Sequence, residues 1–400
     1  MTAHVRPALG AGLLAAALVL VAPPAHAAAP DASTVDAGRG ASPRAPGWTA
    51  VELGTLGGER TVPTAVNDRG QVVGRSQVPD GRWHAFLWAD GVMTDLSPDA
   101  QDAVAADVSN SGHVSGWVQP APGESADAVL WRGGTATVLA EEGYGALVNE
   151  RGQVSGTVAR PEAWSENPFV WTAGTRTDLA PPPFPDAWPN ASVVDLNRRG
   201  QVLAIGEFYD DTDLAYVWKD GVFTELRADG LVLRGADLHE RGRVAGEVHL
   251  GSGVREAAVW RDGTIERLGM LPGTTFSQAF AMNDAGLVVG VSSDGRGRRG
   301  TAFAWSRGTM RAIGTVGSGW SDTQDVNERG QVAGQIGSTT TDGAELVQPF
   351  VWHRDRLTLL GTPTPDDVQV VDLSEKGHVA TVTGDFLQER GVLWVPTGRR

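Results

Sequence analysis

Three features of the 400-residue sequence predict an all-β fold assembled from repeats of one four-stranded unit. A turn phrase ending in glycine recurs at Gly70, Gly112, Gly152, Gly200, Gly242, Gly286, Gly330 and Gly377, at intervals of 40 to 48 residues. A valine stands two positions after each (Val72, Val114, Val154, Val202, Val244, Val288, Val332, Val379). A tryptophan follows 17 to 22 residues after each: Trp88, Trp131, Trp171, Trp218, Trp260, Trp305, Trp352 and Trp394. Self-similarity at about 40–45 residues is the mark of stacked antiparallel units, and it overrides a length prior of two or three domains.

Composition narrows the function. The absence of cysteine excludes a disulfide framework, a zinc–thiolate or iron–sulfur site, a cysteine nucleophile and a lipoprotein anchor. A net charge of −15 argues against a nucleic-acid partner, which needs a basic footprint.

Taken in order, residues 1–27 read as a secretory signal peptide. Arg6 supplies the positive end, Ala8–Val21 is an apolar run too short for a stop-transfer helix, and Ala25-His26-Ala27 fits a small-x-small cleavage site. Residues 28–47 are rich in Ala, Pro, Gly and Ser and read as a disordered spacer. Residues 48–400 hold the repeats. In the first unit, strand A lies near Thr64–Val66, B at Gln71–Arg75, C at His84–Trp88 and D at Val92–Leu96. Asn67-Asp68-Arg69-Gly70 joins A to B and Ala89-Asp90-Gly91 joins C to D, both with hairpin chemistry. Four-stranded units of this period predict an eight-bladed β-propeller. The last unit runs out at Pro396 without a strand D, and Val51-Glu52-Leu53-Gly54 matches Glu266-Arg267-Leu268-Gly269. Residues 49–53 are therefore expected to complete the eighth blade and close the ring, removing an exposed edge. The expected product is a secreted, extracellular monomer with no membrane anchor after signal cleavage.

The first unit, Leu53-Gly54-Thr55-Leu56-Gly57-Gly58 through Val66-Asn67-Asp68-Arg69-Gly70-Gln71-Val72-Val73-Gly74 to His84-Ala85-Phe86-Leu87-Trp88, resembles the bacterial extracellular HAF repeat family. The family takes its name from the His-Ala-Phe triplet, and the resemblance covers nearly all of residues 50–395. Only the first unit keeps the full triplet, so the apolar residues before the tryptophan matter more than the histidine. The resemblance implies a secreted bacterial repeat protein and carries over no catalytic residues.

The eight unit tryptophans are expected to be structural, filling the space between neighbouring blades. Asp107, Asp195, Asp237, Asp325 and Asp372 stand five residues before their turn glycines. A ring of such acids has two readings, a cation site or carboxylates that satisfy backbone N–H groups, and the second is favoured. Strand parity puts the short A–B and C–D turns on one face and the long, varied B–C and D–A loops on the other. Trp83, Trp164, Trp188 and Trp320 fall in those long loops, which are where repeat scaffolds carry function. The densest sector holds Glu162-Ala163-Trp164-Ser165-Glu166, Phe184-Pro185-Asp186-Ala187-Trp188 and Phe208-Tyr209-Asp210-Asp211-Thr212-Asp213. Aromatic surfaces beside carboxylates suit sugars, so Trp83, Trp164, Trp188, Tyr209, Asp210, Asp211, Asp213 and Trp320 are the candidate ligand residues. The three aspartates also suit Ca²⁺, although no EF-hand glycine is present. Arg296, Arg298 and Arg299 add a basic run to the same face.

The leading expectation is a non-catalytic binding scaffold for cell-wall or environmental polysaccharide. A carbohydrate-active hydrolase or lyase and a protein-interaction platform are the alternatives. Neither H-E-x-x-H, G-x-S-x-G nor a P-loop occurs. Parity brings only His84 and His249 to the long-loop face. Glu162, Glu166, Asp186 and Asp211 are acids that a glycosidase pair could draw on, and nothing selects two of them.

Overall fold

The computed structural model describes residues 44–45, 47–160, 165–179, 190–207, 214–251, 253–295, 300–315, 319–339, 343–361, 368–385 and 388–397. Among these every regular element is a β-strand. In the first unit the strands run Thr61–Val66, Val72–Gln77, Trp83–Ala89 and Val92–Asp95, each within three residues of the expected bounds. They pair antiparallel in the order A-B-C-D, and the same order recurs along the chain as four-stranded blades. One parallel bridge, Trp83 to Asp102, links the first two of these sheets. The strand Trp48–Glu52 pairs antiparallel with Arg390–Pro396, in register from Trp48 against Pro396 to Glu52 against Val392. The last unit thus takes its outer strand from the N-terminal side of the repeats.

The turns form for the reasons their sequences give. Asp90 and Gly91 both adopt positive φ, 50° and 85°, as a two-residue hairpin turn of the primed type requires. Strand A carries a bulge at one position in all eight units, between Pro63 and Ala65 in the first and between Ala105 and Asp107 in the second. The bulge brings strand A hard against strand B. A Cβ on Gly116 would lie 2.0 Å from the Val104 carbonyl oxygen, so only glycine fits opposite the bulge there.

The core lies between successive sheets. Ala65, Val73 and Ala85 of the first unit pack with Val108, Val114, Val129 and Trp131 of the second. Trp88 and Phe86 pack with Ala380 and Leu393 of the last. Six of the unit tryptophans are buried, while Trp171 and Trp352 are partly so. Trp131 is 1% exposed, and its indole N–H donates to the Leu96 carbonyl of the preceding unit. One regularity escapes a reading centred on the apolar triplet. The residue four before the tryptophan is polar in most units, and it reaches toward the start of the next D–A connection. Glu256 accepts the Gly269 N–H, Asp127 accepts the Glu142 N–H, and His84 meets Asp95.

Side-chain hydrogen bonds tie each A–B turn to the next. Asn149 Oδ1 accepts the N–H groups of Arg151 and Gln153, and its Nδ2 donates to the Asn197 carbonyl. Asn197 repeats the arrangement onto His239, and Asn327 onto Ser374. Asn67 and Asn283 do the same to Ser109 and Asn327. Substituting Trp131 by alanine would remove a fully enclosed indole and should lower unfolding free energy by about 3–5 kcal/mol. Denaturant titration checks this; a loss below about 1 kcal/mol would show that the indole is not a packing element.

Candidate functional site

On the long-loop face the described residues include a dense polar cluster built around Trp83. Strand C of the first unit opens at Trp83, opposite Gln77, with Arg75 opposite Ala85 two steps along strand B. The guanidinium carbons of Arg60 and Arg75 lie 4.6 and 4.5 Å from the centre of the Trp83 ring, a cation–π arrangement. Arg60 NH1 is also 3.8 Å from Glu389 Oε2, in the last unit. The main chain brings them together: Thr61 N–H donates to the Glu389 carbonyl and Leu53 N–H to the Gly391 carbonyl. Burial holds the Arg75 guanidinium below its usual pKa, a drop that the Glu389 and Asp102 carboxylates oppose. Burial likewise pushes Asp102 and Glu389 up.

Beneath Trp83, the His84 side chain is 3% exposed and its Nδ1 lies 2.7 Å from Asp95 Oδ2. Asp95 is held in turn by the Ser97 N–H on its other oxygen. A carboxylate at Nδ1 places the neutral ring's proton there, so Nε2 presents a lone pair. That Nε2, Asp102 Oδ1 and Glu389 Oε2 are all buried without a hydrogen-bond partner. Three buried atoms without a hydrogen-bond partner thus lie in a neighbourhood that holds two guanidinium groups and the Asp95, Asp102 and Glu389 carboxylates.

Of the candidate ligand residues named from the sequence, Trp83 is the one this cluster contains, and His84, expected near the same face, lies in it too. The Trp83 ring engages the protein's own cations. Trp320 sits elsewhere, at the start of strand A of the seventh unit, where its indole N–H donates to Glu345 Oε1. A Cβ on Gly337 would lie 2.1 Å from that indole nitrogen, so glycine lets the ring lie against the neighbouring strand. Trp164, Trp188, Tyr209, Asp210, Asp211 and Asp213 lie outside the described residues, as do Glu162, Asp186, Arg296, Arg298 and Arg299. Arg60, Arg75, Asp102 and Glu389 drew no attention in the sequence. No local motif marks them, and Arg60 meets Glu389 where the Thr61 N–H of the first unit bonds the Glu389 carbonyl of the last.

Two further clusters bear on metal binding. Asp107, Asp195 and Asp372 each accept the N–H of the following residue on one oxygen. Their other oxygens accept the N–H groups of Val148, Leu238 and Val66 in the next unit, at 2.7–2.8 Å. Asp237 accepts the Met282 N–H in the same way. These carboxylates are spent on backbone donors, the favoured reading of the acid ring. His239, Asp284 and Glu328 form the second cluster, with ligand atoms all within 4.8 Å of one another. His239 Nε2 lies 2.7 Å from Asp284 Oδ1 and 3.6 Å from Glu328 Oε1. The Arg241 N–H donates to His239 Nδ1, however, which leaves the proton on Nε2. A metal on Nε2 would need that proton moved to Nδ1, against the Arg241 N–H. His239 occupies the place of Asn67 and Asn149 in other turns, and it acts as they do, accepting from the turn and directing a donor outward.

Neither a protein-family model nor a curated protein matches the chain. Solved structures do. Dipeptidyl peptidase 4 of Porphyromonas gingivalis aligns at TM-score 0.52 and 10% identity over 80% of this chain and 56% of its own. A post-proline cleaving enzyme from Rickettsia typhi aligns at 0.51 and 9%, over 86% and 59%. The β-propeller domain of the Trilobed protease from Pyrococcus furiosus aligns at 0.49 and 10%, over 74% and 96%. The chain therefore spans less than two thirds of the two peptidase chains, and what it shares with them is the fold. The class is a β-propeller scaffold of four-stranded blades.

The buried acids have a measurable consequence. Burial pushes Asp107 and Asp325 up to about 6, and burial with the nearby Asp325 charge pushes Asp372 up to about 8. The folded chain then keeps protons that the unfolded chain releases near pH 4, so stability falls as pH rises from about 4 to 8. Thermal unfolding should show a Tm that drops over this range. Asp372→Asn, which cannot ionise, should flatten the drop, most visibly above about pH 6. A variant whose Tm–pH curve parallels wild type would contradict this origin.

Proposed function

We propose that the chain is an exported binding scaffold: an eight-bladed propeller over residues 48–400, closed by its N-terminal strand, with its ligand on the long-loop face. Three observations support closure. Trp48–Glu52 supplies the outer strand of the last unit. Asp372 of that unit accepts the Val66 N–H of the first. First strands neighbour one another in succession, Val368–Leu373 returning to Thr61–Val66. The apolar run and cleavage pattern of residues 1–27 support export.

The ligand class follows from the donor and acceptor balance around Trp83. A cation would answer the bare oxygens of Asp102 and Glu389 but meet Arg60 and Arg75. An anion would answer the guanidinium groups but meet the carboxylates. A neutral hydroxylated ligand does both once the side chains over the buried Asp102 and Glu389 oxygens move aside, since each hydroxyl donates and accepts. This observation carries the saccharide reading. A second reading rests on His84: an Asp-oriented imidazole with a free Nε2 is the base half of a nucleophilic site. Within the described residues no hydroxyl engages that Nε2, so binding is the better account.

A glycan array comparing wild type with Asp102→Asn tests the proposal. The variant keeps shape but replaces a bare acceptor, and it should lose at least about tenfold in signal, as one misplaced charged hydrogen bond implies. No glycan retained by wild type, or equal retention by both, would refute it.

A further inference from the structure

A separate cavity of about 350 Å³ opens where the strand Trp48–Glu52 faces the seventh unit, lined by Trp48, Gln331, Val351, His353, Arg356 and Thr358. Its volume falls in the roughly 300–1,000 Å³ range of small-ligand sites. Four of the six residues form a two-by-two grid on one sheet face: Val351 pairs with Thr358 and His353 with Arg356. The indole is the opposite wall.

The repeat supplies its own control. Between the fifth and sixth units the same grid positions hold Val259 with Glu266 and Arg261 with Thr264, and Arg243 takes the place of Gln331. There the cleft encloses only about 70 Å³, and it includes an acid. The larger cavity differs in having no acid on its wall, in a chain with 48 acidic residues against 33 basic ones. It also has an indole at a position that the sixth unit, the matching wall of the smaller cleft, fills with a turn glycine, Gly308. Trp48 stands there because the outer strand of the last unit is not connected to strand C by a hairpin.

Each lining group has a defined offer. Trp48 spends its N–H on the Gly377 carbonyl, so it gives the cavity carbon surface only. Gln331 spends Oε1 on Asn327 Nδ2, which leaves its amide donors. His353 Nε2 meets the Arg329 carbonyl at 3.1 Å, which leaves Nδ1 as an acceptor. Arg356 is exposed and is the one cation among the six. Carbon surface on one wall, a guanidinium on the other and hydroxyl-compatible groups between them describe a ring that carries a carboxylate.

We infer that this cavity is a second binding site, distinct from the Trp83 cluster, for an anionic sugar ring of the hexuronate type. Its carboxylate meets Arg356, its C–H face lies on Trp48, and its hydroxyls meet His353, Thr358 and Gln331. Saturation-transfer NMR with free glucuronate, glucose and inorganic phosphate tests it on the full chain, with Tm as the check on folding. Glucuronate should bind saturably, and glucose and phosphate should not displace it at equal concentration. Arg356→Gln, an exposed substitution, should weaken glucuronate about tenfold or more. Trp48→Phe keeps an aromatic wall and should retain binding that Trp48→Ala loses. Binding unchanged in Arg356→Gln, or glucose as tight as glucuronate, would overturn the charge assignment and with it the proposal. Phosphate competing as well as glucuronate would reduce the site to a bare anion contact and overturn it too. Asp102→Asn should leave glucuronate binding intact, which separates this site's failure from failure of the long-loop reading.

Discussion

The structure depends on how the backbone groups at the A–B turns find partners away from water. Each turn leaves N–H and carbonyl groups at the end of a strand, where the sheet ladder no longer serves them, and a buried unpaired group is costly. The buried asparagine solves this twice over. Its oxygen closes its own turn and its amide reaches the next unit's carbonyl, as Asn149 does to Asn197. The aspartate five residues before the turn glycine adds a second tie in the same direction, from Asp107 to the Val148 N–H. Neighbouring sheets are thus held by directional bonds at one end and by packed tryptophans in the middle. Where asparagine is replaced, the substitutes keep part of the work. His239 accepts from its turn through Nδ1, and Ser374 accepts the His378 N–H through its hydroxyl.

Much of this was legible because it repeats. The turn glycines and the tryptophans recur in all eight units and the aspartates in five, and a pattern repeated so often in one chain needs little else to locate strands. The expectation that the aspartates serve backbone donors rested on their position before the turn, and that position is what aims them at the next strand. Two things were hidden all the same. The bulge in strand A leaves no residue signature, only the glycine opposite it, as at Gly116. The Trp83 cluster draws Arg60 and Glu389 from opposite ends of the chain, and no spacing argument connects residues so far apart.

The two proposed sites share an origin in that meeting of ends. Identical units give identical clefts, and a scaffold of pure repeats would offer only shallow ones like that beside Glu266. Asymmetry enters where the N-terminal strand meets the last unit. There the usual hairpin is absent, a tryptophan takes a glycine's place, and charges from the first and last units are brought together. Function concentrated at the irregular point of a regular array is what consistency arguments lead one to expect.

The register of the strand Trp48–Glu52 against Arg390–Pro396 also sets how the molecule would respond to tension. Trp48 lies opposite Pro396, and before Trp48 the chain turns back so that Arg44–Ala45 pairs antiparallel with Trp48–Thr49 on the outer side of the same sheet. A pull on the chain before Arg44 and after Pro396 would lift that two-residue pair first, and would then load the Trp48–Pro396 register one pair at a time, as a zipper opens. Once Arg44–Ala45 has lifted, the next residue to go would be Trp48, the wall of the cavity. A ligand seated there would act as a clasp on the joint between the N-terminal strand and the last unit.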